Sequence, residues 1–265
     1  MKLFYSILFT SLISLSLNAQ QSYNMSLLGK LDYQQGLNDV WGYVDEDKGE
    51  YAIVGLVNGI SIVDVTDPSI LIEKAFIPGP TSIWRDIKTY GRYAYVVHDS
   101  FTEGESQGLL IIDLSNIADG NISYSSILDV SYSRFHNLFI DENGIAYLFG
   151  GNYDNGGVLF YDLNPNPLIP FYLGEYEEFY LHDGMVRGDT LWGSAIFDGL
   201  LLAIDVSNKS NPNLIGSVST PNNFTHNAWV SDDGNSVFTT DEVAGAYIAA
   251  VDVSDVSNMT VIDQI

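Results

Sequence analysis

Five times along the chain an apolar run closes on an aspartate followed by an aliphatic residue. The segments are "ISIVDVTDPS" (60–69), "LLIIDLSN" (109–116), "VLFYDLNPNP" (158–167), "LLAIDVSNKSNP" (201–212) and "IAAVDVSDVSN" (248–258). The recurring aspartates Asp64, Asp113, Asp162, Asp205 and Asp252 are spaced by 49, 49, 43 and 47 residues. Each unit also opens alike, with "NDVWGY", "RDIKTYG", "HNLFIDENG", "HDGMVRGDT" and "HNAWVSDDGN". A second short run follows ("YAIVGL", "YAYVVH", "IAYLFG", "LWGSAI", "VFTTDE"), and after the aspartate comes a polar turn and a fourth run such as "NLIGSVSTP". Four short strands per unit with a period in the forties predict an all-β fold, a β-propeller of four-stranded blades with five repeats visible.

The turns agree. "DENG" (141–144) and "SDDGN" (231–235) fall between first and second strands, where a tight hairpin needs Gly or Asn at positive φ. No segment has helical periodicity long enough for the crossovers of a parallel sheet, and a β-sandwich would not need five in-register copies. "MSLLGKLDYQ" (25–34) resembles the fourth-strand segments, yet the fifth unit is followed by its own candidate, "MTVIDQI" (259–265). Two segments then compete for one edge. The expectation is a propeller domain over 20–265, truncated at its C-terminal side and part of a six- or seven-bladed ring. A closed five-bladed ring with a displaced terminus is the alternative.

The first nineteen residues carry Lys2, an uncharged and mostly apolar run, and the small Ala19, the pattern of a signal peptide cleaved after Ala19. Serines and Asn18 dilute the run, so no transmembrane segment is expected in the mature chain. The destination is then secreted, extracellular or on the outer surface of a bacterium. With no cysteine, stability must come from core burial. Thirty-four acidic residues against 10 basic ones give a net charge of −24, which disfavours nucleic acid and anionic membranes as partners.

The "IVDV/IIDL" closures, "NDVWGY", "GLLIIDLS", "FHNLFID", "HDGMVRGDTLW" and "THNAWVSDDG" together resemble the choice-of-anchor B family of bacterial surface proteins, built from LVIVD repeats. The resemblance spans residues 25 to 265 and implies a secreted or surface-displayed β-propeller with further blades. It implies no reaction.

Two positions at the blade openings carry the candidate chemistry. The second is Asp39, Asp86, Asn137, Asp183 and Asn227, an acceptor in every unit. That fits a structural role common to all blades, the binding of backbone N–H groups of its own turn or of the next blade. The first varies as Asn38, Arg85, His136, His182 and His226, so the repeat does not require histidine. Innermost strands converge at the axis, and His136, His182 and His226 with Asn137, Asp183 and Asn227 form a candidate axial cluster for a divalent ion, Ca²⁺ or a transition metal. Packing of each His between blades is the other reading. His98-Asp99-Ser100 is no triad by proximity alone, and "WGSAIFDG" is only part of a nucleophile elbow. Trp41, Trp84, Trp192 and Trp229 are expected in inter-blade packing, and the insertion "DSFTEGESQG" (99–108) is a candidate binding loop. The leading expectation is a binding or interaction module for an extracellular protein, glycan or small molecule. A metal-dependent hydrolase or lyase working at the axis is the competing class, and the residues leave both open.

Overall fold

The computed structural model describes residues 24–100, 107–127 and 133–265. The signal segment 1–19 and most of the 99–108 insertion lie outside them. The first blade comprises β1 (Leu37–Val44), β2 (Glu50–Leu56), β3 (Gly59–Asp64) and β4 (Ile72–Pro78). The second has β5 (Arg85–Tyr90), β6 (Tyr93–His98), β7 (Leu109–Asp113) and β8 (Ser123–Ile127). The third has β9 (Asn137–Ile140), β10 (Ile145–Phe149), β11 (Val158–Asp162) and β12 (Phe171–Tyr176). The fourth has β13 (Asp183–Arg187), β14 (Thr190–Ala195), β15 (Leu200–Asp205) and β16 (Asn213–Ser219), and the fifth β17 (Thr225–Val230), β18 (Ser236–Asp241), β19 (Ile248–Asp252) and β20 (Thr260–Gln264). Each is an antiparallel meander in chain order, as the repeat predicts.

The middle strands explain why the apolar runs are continuous. Successive side chains of a strand point to opposite faces, and a blade between two neighbours buries both. On β7, Leu110 and Ile112 join a core shared with the first blade, while Leu109 and Ile111 join one shared with the third. On β15, Leu202 and Ile204 face the third blade, and Leu201 and Ala203 the fifth. Four such cores join the five blades in series.

The end blades differ. On β2, Tyr51 and Ile53 are buried against the second blade, but Ala52 and Val54 on the opposite face are only half-buried. On the fifth blade Val237 and Val251 are buried, while Trp229, Phe238 and Ile248 are exposed. Innermost strands pack β1 on β5, β5 on β9, β9 on β13 and β13 on β17, and among the described residues no comparable packing returns from β17 to β1. The five blades form an open arc; the end face of the fifth is exposed, and that of the first is partly covered, with Ser61 and Val63 buried and the Tyr33 hydroxyl donating to Ser61 Oγ at 2.9 Å.

The repeated aspartates have one job. Asp64, Asp113, Asp162, Asp205 and Asp252 end their strands, and each accepts a bond at 2.9–3.0 Å from the backbone N–H two residues on. This fixes the turn after the third strand. The turn is also where blades meet at the outside: a Cβ on Gly174 of β12 would strike the carbonyl oxygen of Lys209, and one on Gly216 of β16 that of Val256. Lys209 and Val256 each lie four residues beyond a closing aspartate. The hairpin glycines behave as expected, Gly144 and Gly234 having φ of 76° and 74°. In the first hairpin the left-handed residue is Lys48, φ 70°.

Gly216→Ala should therefore lower stability by about 2–3 kcal/mol through overpacking. Gly234→Ala, with open space around its Cβ, should cost only the left-handed backbone penalty of about 1 kcal/mol. Thermal denaturation of both variants checks the order.

Candidate functional site

In an antiparallel hairpin the start of one strand lies beside the end of the next, so the openings of innermost strands share a rim with the ends of second strands. Arg85 pairs with His98, Asn137 with Phe149, Asp183 with Ser194 and Thr225 with Asp241. The histidines stand at this rim, the backbone N–H of His136 and His182 donating to Phe149 and Ser194 carbonyls at 2.9 Å. His226 falls within a bulge between Thr225 and Asn227.

The structure brings the three histidines together. The His136 and His182 ring centroids are 4.0 Å apart, and those of His182 and His226 4.6 Å. His182 is buried, with Nδ1 3.3 Å from the His226 carbonyl oxygen. A carbonyl can only accept, so Nδ1 carries the proton and Nε2 keeps its lone pair. Burial, reinforced by His136 and His226, pushes its pKa down to about 3, so it is neutral at physiological pH. Burial also lowers that of His226, against the opposing effect of Glu242. His136 Nδ1 lies 3.1 Å from Asp99 Oδ2, and Arg134 sits 3.6 Å from the other Asp99 oxygen.

Asn137, Asp183 and Asn227 belong to a different set, the ring one residue further along. Asp39 accepts from the Ile87 N–H of the next blade at 2.8 Å, and Asp86 from Leu138 N–H of the blade after at 2.7 Å. Asp86, Asn137 and Asp183 each also accept from the residue that follows them, and Asn227 Nδ2 donates to Asp183. These are the own-turn and next-blade bonds expected of a structural ring. Crowding carboxylates in it has an electrostatic cost: burial, then Asp86, raise Asp183 to about 7 and Asp39 to about 6. Arg85 is anchored into the first blade, donating to the carbonyls of Leu56 at 2.8 Å and of Pro80, and its burial lowers its pKa to about 10.

Among the described residues, the His/Asp/Glu groups whose ligand atoms lie mutually within 4.8 Å are His182, His226 and Glu242. Sequence reasoning missed Glu242, which stood at the end of "VFTTDE"; the signal was its place at a second-strand end, on the rim of His226. Asp99 reaches His136 for the same reason. Of the tryptophans, Trp192 is packed between blades and Trp41 donates to Thr89 Oγ1 of the second blade at 3.0 Å. Trp84, 44% exposed, instead faces the mouth with its ring 6.0 Å from His136, and Trp229 lies on the open face of the fifth blade. His98 is buried, and burial lowers its pKa to about 4.

With this geometry in view, the repeats can be compared with known ones. The LVIVD repeat matches residues 48–76, 83–125 and 195–220, within the first, second and fourth blades. The chain carries LVIVD repeats. No curated protein matches it. Solved structures with a similar fold include a periplasmic gluconolactonase of Pseudomonas aeruginosa (TM-score 0.64, 11% identity, 85% of this chain and 71% of that one). Others are a chain of the nidogen/laminin complex (0.56, 11%, 87% and 79%) and one of the mitotic checkpoint complex (0.62, 13%, 90% and 67%). At such identities the likeness concerns the fold, a β-propeller.

Asp39 supplies a pH test. Its raised pKa means that the folded state holds the proton more tightly, so its contribution to stability is present below about pH 4 and lost as pH rises through 6. Asp39→Asn keeps an acceptor, as Asn137 and Asn227 do in their blades. The variant should match the parent at pH 4 and exceed it at pH 7 by on the order of 1 kcal/mol, measured by urea unfolding at both pH values.

Proposed function

We propose that the protein is a secreted or surface-displayed binding module that uses the rim around the histidine stack. The carrying observation is the exposed apolar side chains in the loops of that rim. Phe197, 72% exposed, lies 5.0 Å centroid to centroid from Tyr180, and Ile83, Trp84, Val243 and Tyr247 are exposed on loops of the same face. Exposed aromatic groups around a polar centre are costly in water and are what interfaces use as anchors. An extracellular protein or glycan suits such a rim. Screening purified protein against a glycan array and extracellular-domain arrays should give binding that Trp84→Ala with Phe197→Ala reduces at least tenfold without changing Tm. Binding indifferent to both substitutions defeats the reading. The signal peptide is tested by mass spectrometry of exported protein, which should begin at Gln20.

We infer the surface-protein assignment to choice-of-anchor B from the "SIVDVTDPS" closures, "NDVWGY", "GLLIIDLS", "FHNLFID", "HDGMVRGDTLW" and "THNAWVSDDG"; "NDVWGY" and the last three lie outside the matched LVIVD segments. A larger ring of six or seven blades is supported by residue 29. A Cβ on Gly29 would strike the carbonyl oxygen of Pro68, four residues beyond Asp64, which is the contact made by Gly174 and Gly216. This contact suits a reading of residues 25–34 as the outer strand of a preceding blade, lying against the partly covered face of the first. In the native protein, amides of 26–34 should then be protected from hydrogen exchange like those of β16. Exchange at loop rates would rule the larger ring out.

A metal-dependent hydrolase or lyase is the second reading, favoured by the converging His182, His226 and Glu242. Turnover of ester or lactone substrates would be its test.

A further inference from the structure

We propose that His182, His226 and Glu242 form a binding site for a divalent transition metal of the zinc class. The ligand set departs from the axial cluster expected from sequence. Asn137, Asp183 and Asn227 already spend acceptors or donors on the structural ring, whereas these three groups do not serve it.

Three features favour the site. His182 donates Nδ1–H to a backbone carbonyl, which orients the ring and frees Nε2, the outer-shell arrangement usual for a metal-bound imidazole. His226 Nε2 and Glu242 Oε2 are 3.9 Å apart, too far for a hydrogen bond. An ion with bonds of about 2.0–2.2 Å fits between them once the pair closes by roughly half an ångström toward tetrahedral separation. Glu242 has the freedom to do so, its side chain being 56% exposed. Two neutral imidazoles and one carboxylate suit zinc-class ions and not Ca²⁺, which takes oxygen ligands. Three protein ligands at a mouth leave a fourth position open to solvent or to a bound partner. The site holds whether or not a reaction follows, so it is independent of the binding-module reading, whereas the metal-dependent reading requires it.

The test is calorimetric titration of the folded protein with zinc chloride at pH 7 and 150 mM salt. One ion per chain should bind and raise Tm. His226→Ala and Glu242→Gln, both at partly exposed positions, should each weaken zinc binding at least tenfold while leaving the metal-free Tm within a few degrees. Asp232→Asn, on an exposed hairpin, should leave binding unchanged. Zinc affinity unaltered in both ligand variants, equal weakening by Asp232→Asn, or no saturable binding would each overturn the proposal.

Discussion

Everything in this molecule depends on the stacking of one four-stranded sheet upon the next. A single blade has two apolar faces and can bury neither alone, so each middle strand needs a neighbour on both sides. The hydrogen bonds of the inner ring lock that stacking in register. Asp39 and Asp86 reach across to the backbone of the following blade, and Asp183 accepts from Asn227. At the outer edge of the third and fourth blades, Gly174 and Gly216 let the next blade's turn approach to contact. An inner polar lock and an outer steric one thus act together between the fourth and fifth blades.

That arrangement also creates the mouth. Convergence of the innermost strands forces the residues just before the ring acceptors into one small volume, and in three successive blades that residue is histidine. Crowding and burial keep His182 neutral, so it presents a lone pair instead of positive charge. In a chain of net charge −24, the imidazoles of His182 and His226 beside Glu242 form a site suited to cations, bordered by Trp84 and Phe197 for an apolar contact.

Much of the fold was legible from the repeat. The aspartates at the third-strand ends, the hairpin glycines and the continuous apolar runs all follow from local geometry repeated five times, and all appear where the spacing puts them. The ring of Asp39, Asp86, Asn137, Asp183 and Asn227 was legible too, since a residue type in every blade serves what every blade shares. Glu242 was not. A single carboxylate at a strand end carries no periodic signal, and its approach to His226 depends on hairpin register and on the bulge at His226. The placement of Trp84 at the mouth instead of between blades was hidden for the same reason.

By itself, the sequence determined the blade and its four strands and turns, because periodicity two within strands and a fixed repeat length leave one way to bury the apolar faces. Tertiary structure decided which groups meet: the histidine stack with Glu242 and Asp99, the Asx residues consumed by the ring, and the exposed end face of the fifth blade. Those contacts link residues on different strands, and no local pattern records the distance between them.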